Sequence, residues 1–218
     1  DRGTWATHNG NYRGNWSPHI PRNLIIRYSN EGEYVLDPFI GSGTTLIECK
    51  LLNRNGIGID INDKALEISR KNLNFNCENK AKQSLFKGTA TKLKQIKNNS
   101  IDLICTHPPY GNIIAYSKNI EKDLPRLDDL EYYEAMKIVG REFYRVLKPK
   151  KYCALMIGDI RRNKHVLPMG FNVMNILLNS GFRLKEIIIK EQFNCKMTDY
   201  WRDKSKKYNF LLLHNLKV

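Results

Sequence analysis

The sequence predicts an α/β protein whose seven strands form an open, doubly wound sheet, mostly parallel, with an antiparallel hairpin at its end. Short apolar runs alternate with longer stretches of helical periodicity. The last two apolar runs are joined by about 17 residues without a helical pattern, which favours a hairpin over a parallel crossover. At 218 residues, 41% of them hydrophobic, the chain can bury its own core, and we expect a single domain, 1–218.

Strands are expected where apolar and β-branched residues form short runs between turn residues. In chain order they are residues 34–37, 56–60, 84–88, 101–106, 152–158, 182–190 and 208–216. Helices are expected where apolar residues recur every three to four positions, over residues 22–28, 44–53, 63–74, 128–147 and 171–179. Asp128 and Glu131 form a capping box at the fourth helix, Pro149 stops that helix, and Gly181 ends the fifth. In such sheets, ligands bind at the carboxyl ends of the strands.

The composition points to a polyanionic partner. Lys and Arg number 36 against 22 Asp and Glu, a formal net charge of +14. Nucleic acid is the usual partner of such a charge, although a lysine-rich, merely solvated surface gives the same balance. No apolar run approaches the roughly 18 residues that span a bilayer, so no membrane partner is expected. The five cysteines are dispersed without disulfide or metal-ligand spacing, which favours a cytoplasmic location and no metal.

A glycine pair follows the first strand and opens the next helix, in the string DPFIGSGTT at residues 37–45. Gly41 and Gly43 let the backbone turn sharply and approach a ligand, and the helix directs its unpaired N–H groups at that ligand. Asp60 ends the second strand, where an acid can hold ribose hydroxyls. Together these features predict a nucleoside-containing cofactor. An NAD site is one alternative, although the third glycine of its fingerprint is missing, and a simple capped turn is another.

The string DPFIGSGTT resembles the S-adenosylmethionine (AdoMet) motif of the DNA methyltransferases that methylate exocyclic amines. This resemblance implies a Rossmann-like class I methyltransferase sheet, with AdoMet as cofactor and S-adenosylhomocysteine as product. Asp37 is then expected near the cofactor's amino group, Asp60 at its ribose, and Phe39 with the two glycines at its methionine and sulfonium end. The full implied cofactor set is Asp37, Phe39, Gly41, Gly43, Thr44, Asp60 and Thr89. Thr89 departs from the family, which usually carries an acid at the adenine.

The fourth strand ends in THPPY, residues 106–110, which resembles the catalytic motif D/N/S-P-P-Y/F of the same family. An exocyclic amine is a poor nucleophile because its lone pair is delocalised, and acceptors facing its two N–H groups concentrate electron density on the nitrogen. The resemblance implies that His107 and the Pro108 carbonyl are these acceptors, with Pro109 holding the loop rigid. His107 can also take the released proton. Tyr110 is expected to stack on a base flipped out of its duplex. Cys105, in an apolar strand, is expected in the core.

Three segments are expected around the substrate. Residues 1–30 resemble the family's segment that folds over the methionine end of AdoMet, and loops 111–127 and 193–207 rise on the catalytic side. The second loop interleaves basic and aromatic residues, which suits phosphate contact and stacking, and its candidate substrate-binding residues are Tyr200, Trp201, Arg202 and Lys204. The lysine-rich stretch 71–97 is interpreted as a solvated outer face. Because the sheet uses nearly the whole chain, sequence recognition would need these loops, a second subunit or dimer partner, or a further portion of the chain.

These observations predict an AdoMet-dependent enzyme that methylates the exocyclic amine of a flipped DNA base, cytosine N4 or adenine N6, as in restriction–modification systems. His107 fits neither base preference of the family, and we favour cytosine slightly. An RNA guanine-N2 methyltransferase is the main alternative, through the string PPYG at residues 108–111. A non-catalytic subunit of a methyltransferase complex is the other.

Overall fold

The computed structural model describes residues 3–12, 14–110, 129–162, 165–190 and 198–208. The chain divides into two compact units. The larger holds the described residues of 1–159 and 168–182, and the smaller holds those of 160–167 and 183–218. The main sheet lies entirely in the larger unit.

Five strands form the main sheet: β1 (Tyr34–Asp37), β2 (Asn55–Asp60), β3 (Gln83–Lys87), β4 (Ile101–Thr106) and β5 (Leu147–Leu155). Their order is β3-β2-β1-β4-β5, and every neighbouring pair is parallel. The chain therefore builds the sheet outward from β1 in both directions, which opens a crevice at the carboxyl ends of β1 and β4. The parallel α/β class is confirmed, and the first five strands lie where the apolar runs predict them, with shifted boundaries.

The larger unit also contains five helices: α1 (His19–Tyr28), α2 (Thr44–Leu51), α3 (Asp63–Leu73), α4 (Asp129–Val146) and α5 (Met169–Asn179). All five match predicted helices. α1 begins earlier than residue 22 because Pro21 falls in its first turn, where the missing N–H has no intrahelical partner to lose. Gly181 follows α5 with a φ of +109°, the left-handed conformation expected after a helix end. No helix in the described ranges is long and apolar enough to cross a bilayer.

The centre of the core is β4. All six of its residues are buried, so its side chains meet packing partners on both faces of the sheet. Cys105 joins Val35 and Trp16 in one apolar cluster. Burial, and then the charge of Asp37, raise the pKa of the Cys105 thiol well above its usual value, so the thiol stays protonated. The prediction that Cys105 is a core residue is confirmed.

The smaller unit contains a short antiparallel pair, β6 (Ile160–Arg162) and β7 (His165–Leu167), and one helix, α6 (Thr198–Tyr208). The sequence predicted none of the three, and the helix-free loop expected over residues 193–207 is wrong. Lys206 and Lys207 lie in the last turn of α6, where positive charge is favourable. Asp203 stands four residues before Lys207, the spacing of a stabilising ion pair on a helix surface.

The strand predicted over residues 182–190 is also wrong. These residues have no regular secondary structure, and Ile187, Ile188 and Ile189 are 63%, 68% and 89% exposed. An apolar run becomes a strand only when a neighbouring strand satisfies its backbone N–H and C=O groups. Its expected partner, 208–216, lies outside the described residues except for Tyr208, which ends α6. The seven-stranded sheet and its terminal hairpin are therefore not confirmed.

Asp102 joins three strands at the amino-terminal end of the main sheet. Its carboxylate accepts hydrogen bonds from Lys148 Nζ at 2.8 Å and from the Tyr34 backbone N–H at 3.0 Å, and its side chain is 3% exposed. Burial raises the pKa of Asp102, but the bonds from Lys148 and Tyr34 outweigh it, so the pKa lies below the usual 3.8. The carboxylate thus stabilises the fold most when it is ionised.

We expect Asp102→Asn to lower the free energy of unfolding by about 2 kcal/mol at pH 7, because hydrogen bonds to a charged group are lost. A folded-state pKa below the unfolded value contributes stability above about pH 4, and this stability is lost as the pH falls through the folded-state pKa. Urea unfolding of both proteins at pH 7 and pH 3 checks this. A difference that is as large at pH 3 as at pH 7 would contradict it.

Candidate active site

A cleft in the larger unit lies at the carboxyl ends of β1, β2 and β4 and encloses about 800 Å³ of empty space, including its mouth. The walls come from the N-terminal segment (residues 3–18), the turn after β1, and the ends of β2, β3 and β4. Among the predicted site residues, the cleft brings together Asp37, Phe39, Gly41, Asp60, Thr89, His107 and Pro109.

The turn after β1 has a backbone that only glycine adopts easily. Gly41 has a φ of +53° and Gly43 a φ of +90°. A Cβ on Gly41 would lie 3.1 Å from the Tyr12 ring, and one on Gly43 would lie 3.2 Å from Ser69 Oγ. The turn is fixed from outside, since Ser69 Oγ donates to the Gly41 carbonyl at 2.8 Å. Gly43 then caps α2, whose first N–H groups have no partner within the helix.

Asp37 connects the glycine turn with the end of β4. Its carboxylate is buried and accepts from Phe39 N at 3.1 Å, from Thr45 Oγ1 at 2.5 Å and from Thr106 Oγ1 at 2.6 Å. Burial raises the pKa of Asp37 to about 6, although these three donors oppose the shift. The residue expected at the cofactor's amino group therefore also holds the start of α2 beside Thr106, the neighbour of His107.

The polar residues at the ends of β2 and β3 are also engaged with the backbone. Asp60 accepts from Gly41 N at 3.0 Å and from Asn62 N at 2.9 Å. A carboxylate has about four acceptor positions, so these two bonds do not by themselves exclude ribose hydroxyls. Thr89 Oγ1 lies 2.9 Å from Thr91 Oγ1 and lines the cleft where the family usually has an acid.

The catalytic motif forms the wall at the end of β4. His107 is half-buried, and its Nε2 lies 2.8 Å from the Tyr110 hydroxyl oxygen. The Trp16 ring stacks on His107 at 5.8 Å between centroids, with 25° between the planes. Pro108 is buried, and Pro109 borders the cleft. The imidazole is thus held between Trp16, from the N-terminal segment, and Tyr110, three residues further along the chain.

The N-terminal segment is anchored to α2 through Glu48, which is fully buried. Glu48 Oε1 accepts from Trp5 Nε1 at 2.7 Å and lies 2.7 Å from His8 Nε2, and Oε2 accepts from Arg22 Nη1 at 2.8 Å. Past this anchor the segment contributes Tyr12, Asn15 and Trp16 to the cleft. Asn15 Oδ1 also accepts from Thr44 Oγ1 at 2.5 Å, which places Thr44 behind the cleft wall.

The predicted substrate-binding residues lie on α6 in the smaller unit. Tyr200 is 49% exposed, and Lys204, one turn later, places its Nζ 5.3 Å from the centre of the Tyr200 ring. Arg202 is exposed. Trp201 belongs to the same helix, and loop 111–127 lies outside the described residues.

Asn62 and Glu48 are two polar residues that the sequence interpretation missed. Asn62 borders the cleft and caps α3 by accepting from Lys64 N at 3.0 Å, and an asparagine just before a helical pattern was a visible signal. Glu48 lies within a helix whose residues 44–49 are all buried. A single acid in such an apolar helix was the signal, because a buried carboxylate needs partners.

Comparison with known proteins finds similar sequences among DNA methylases. The family model described as DNA methylase (N6_N4_Mtase) matches residues 3–71, which contain the N-terminal segment, the glycine turn and Asp60. The type II methyltransferase M.HpaI of Haemophilus parainfluenzae is 56% identical over 50 residues, which cover 23% of this chain and 16% of that protein. Residues 3–71 therefore match the N6/N4 DNA methylase family.

Other relatives match longer stretches of the chain. The type II methyltransferase M.MjaII of Methanocaldococcus jannaschii is 29% identical over 202 residues, 92% of this chain and 31% of that protein. A tRNA (guanine(10)-N2)-dimethyltransferase of the same organism is 36% identical over 118 residues, 52% of this chain and 34% of that protein. The chain thus spans 16–34% of the length of these relatives.

The fold of this chain is also found in a solved structure. A SAM-dependent methyltransferase from Aquifex aeolicus superposes with a TM-score of 0.54 at 19% identity, covering 77% of this chain and 82% of that one. This likeness supports the α/β methyltransferase fold with its five-stranded parallel sheet.

Proposed function

We propose that this chain is the AdoMet-binding and catalytic part of a methyltransferase that methylates an exocyclic amine of a DNA base, cytosine N4 or adenine N6. The observation that carries the proposal is the convergence of three separate signals in one cleft: the glycine turn, Asp60 and the His107 end of β4. The family and the type II names of its relatives support DNA as the substrate.

The cleft walls suit AdoMet chemically. Ile61 and Ala90 provide apolar surface beside the oxygens of Asp60 and Thr89, a combination that fits an adenosine. At Gly41 a Cβ would lie 3.1 Å from the Tyr12 ring, so the absence of a side chain keeps this part of the cleft open to the cofactor. Bound there, AdoMet supplies a methyl group on a positively charged sulfur and leaves as S-adenosylhomocysteine.

Each cofactor role expected from the sequence is retained in this proposal. Asp60 binds the ribose and Thr89 the adenine. Asp37 and Thr44 act at the methionine end, together with Phe39 and the glycine turn. Asp37 is well suited to a cationic amino group, since a carboxylate whose burial raises its pKa to about 6 gains from a neighbouring positive charge.

The catalytic motif then acts on the target amine. His107 and the Pro108 carbonyl accept its two N–H groups, which favours a tetrahedral nitrogen with a localised lone pair. A proline carbonyl suits this task because Pro109 has no N–H and a fixed φ, so the loop cannot rearrange to satisfy that carbonyl locally. The Tyr110 ring offers the flipped base a face for stacking.

We propose that α6 in the smaller unit contacts the nucleic acid, and that loop 111–127 does so as well. α6 carries Lys204 beside the Tyr200 ring, and Arg202 is exposed on the same helix. Cations interleaved with aromatic rings bind phosphates and stack on bases. Recognition of a specific sequence would draw on Trp201 and its neighbours or on a second subunit.

A tRNA guanine-N2 methyltransferase is the second candidate, because the matching relative covers about half of this chain. A non-catalytic subunit is a third reading. A cleft that still combines the glycine turn, Asp60 and the His107 end of β4 argues against it.

One experiment separates the three functions. The purified chain is incubated with methyl-labelled AdoMet and either DNA or tRNA, and the digested nucleosides are identified by mass spectrometry. We expect N4-methylcytosine or N6-methyladenine from DNA. N2-methylguanine from tRNA would replace this proposal with the second candidate. AdoMet binding without any methylated nucleoside would favour the non-catalytic subunit.

We expect Asp60→Ala to weaken AdoMet binding by about 10- to 100-fold, because it removes a charge-assisted bond to the ribose and the brace on the Gly41 N–H. Isothermal titration measures the dissociation constant. Asp63→Ala is the matched control, since Asp63 lies three residues away, 67% exposed, in a surface pair with Lys87. Equal affinity of the Asp60 variant and the control would contradict the ribose assignment.

A further inference from the structure

The bond between His107 and Tyr110 brings together two residues with separately predicted roles. His107 Nε2 lies 2.8 Å from the Tyr110 hydroxyl, and the two rings meet edge-on at 5.5 Å and 69°. Trp16 covers a face of the imidazole. Nε2 is already hydrogen-bonded to the Tyr110 hydroxyl. A target amine can therefore reach this nitrogen in two ways: it displaces the hydroxyl, or it transfers its proton by way of the hydroxyl.

Two proton arrangements satisfy this bond. In one, Nε2 carries the proton and donates it to the phenol oxygen. In the other, Tyr110 donates to Nε2, and the proton of the neutral imidazole is on Nδ1. Only the second arrangement leaves Nε2 as a base with a donor already in place.

We propose that Tyr110 and His107 form a proton relay: the Tyr110 oxygen takes the proton from the newly methylated nitrogen while the Tyr110 proton passes to His107 Nε2. The relay rests on the proposed function. It changes the role of Tyr110, whose hydroxyl then acts together with its ring. It also replaces the direct contact between His107 and the amine: the Tyr110 oxygen accepts the N–H, and His107 becomes the final proton acceptor.

The electron and charge balance closes. The nitrogen lone pair forms the N–C bond, the electrons of the C–S bond go to sulfur, and the positive charge moves from sulfur to nitrogen. The proton then leaves with its N–H electrons staying on nitrogen. Tyr110 gains one proton as it gives up another, so it ends unchanged. The positive charge ends on the imidazolium of His107, which is half-buried and returns the proton to water.

Two other groups near the catalytic motif are unsuited to accept this proton, Tyr132 and Asp37. Tyr132 on α4 is fully buried, and its hydroxyl has no hydrogen-bond partner among the described residues. Burial, and then the neighbouring Tyr110, raise the pKa of Tyr132, so it stays a neutral phenol. Asp37 directs its oxygens to Thr106, Thr45 and the Phe39 N–H.

Tyr110→Phe tests the relay because it keeps the ring and removes only the hydroxyl. General acid–base catalysis contributes roughly 10²–10⁴-fold, and we expect kcat to fall about 100-fold with KM for DNA within about threefold. For the wild type we expect a solvent isotope effect whose dependence on deuterium fraction is curved, as two moving protons require. The variant should lose that curvature. Tyr133→Phe is the matched control, since its hydroxyl accepts from Asn172 and not from the catalytic motif.

A second readout needs neither cofactor nor nucleic acid. ¹⁵N NMR of the wild-type chain, with His107 assigned by comparison with His107→Gln, should show the proton on Nδ1, and Tyr110→Phe should shift that preference. A proton on Nε2 in the wild type, or a Tyr110→Phe variant with wild-type kcat, overturns the relay while leaving the methyltransferase proposal intact. A wild type that methylates no nucleic acid overturns both.

Discussion

Tyr110→Ala is expected to lower kcat for methyl transfer by about 1,000-fold while the dissociation constant of AdoMet changes less than about threefold. Stacking of a base on an aromatic ring is worth about 1–3 kcal/mol, or roughly 5- to 150-fold. The lost hydroxyl removes the acid–base contribution as well. AdoMet binding should persist because Tyr110, unlike His107 and Pro109, is not among the residues that line the cleft.

Single-turnover methylation with labelled AdoMet, together with calorimetric titration, checks this result. Tyr144→Ala is the matched control: Tyr144 is 54% exposed on α4 and packs on Phe182. It should change kcat by less than about twofold. If AdoMet affinity and kcat fall together in the Tyr110 variant, Tyr110 holds the cleft in shape and does not act in catalysis.

The sheet and the cleft could be predicted because their signals are local. A glycine pair with left-handed backbone, an acid at a strand end and a PPY string each mark one turn of the chain. The rule that parallel strands place their carboxyl ends at one edge then brings these turns together. For this reason the sequence alone predicts that Asp37, Gly41, Asp60 and His107 belong to one site.

The interactions that orient these residues could not be predicted because they join distant parts of the chain. Trp16 and His107 stack across about 90 residues of sequence, and Thr106 bonds to Asp37 across 69. The sequence identifies both members of each pair as polar or aromatic. Which residues become partners depends on β1 and β4 lying side by side in the sheet. A hydrophobic pattern does not determine the order of strands uniquely.

The carboxyl-terminal part shows where the same method fails. The run Ile187–Ile189 has high β propensity, but a strand also needs a neighbouring strand to pair with. Propensity does not indicate whether such a strand is present. The segment of α6 looked like a loop because its charges outnumber its apolar residues. The feature that favours a helix is the spacing of those charges. Asp203 and Lys207 are four residues apart, a distance along the sequence that brings two side chains close together only when the segment is helical.

Glu48→Ala is expected to give the largest loss of stability, about 3 kcal/mol, because it leaves partners of a buried carboxylate unpaired. His8 is 3% exposed and cannot turn to solvent without leaving its site, whereas Arg22 is 38% exposed and can. The Trp5 N–H loses its acceptor at 2.7 Å as well. Glu48→Gln should cost less, since its amide keeps one acceptor at the same place.

The same substitution should weaken AdoMet binding, because the segment released from Glu48 carries Tyr12, Asn15 and Trp16 to the cleft. Urea unfolding and calorimetric titration well below the melting temperature measure the two effects separately. Glu134→Ala is the matched control: its pair with Lys137 is 69% and 52% exposed, and such pairs contribute less than about 1 kcal/mol. A Glu48 variant that loses stability but binds AdoMet as tightly as the control would show that the anchor stabilises the fold without shaping the cleft.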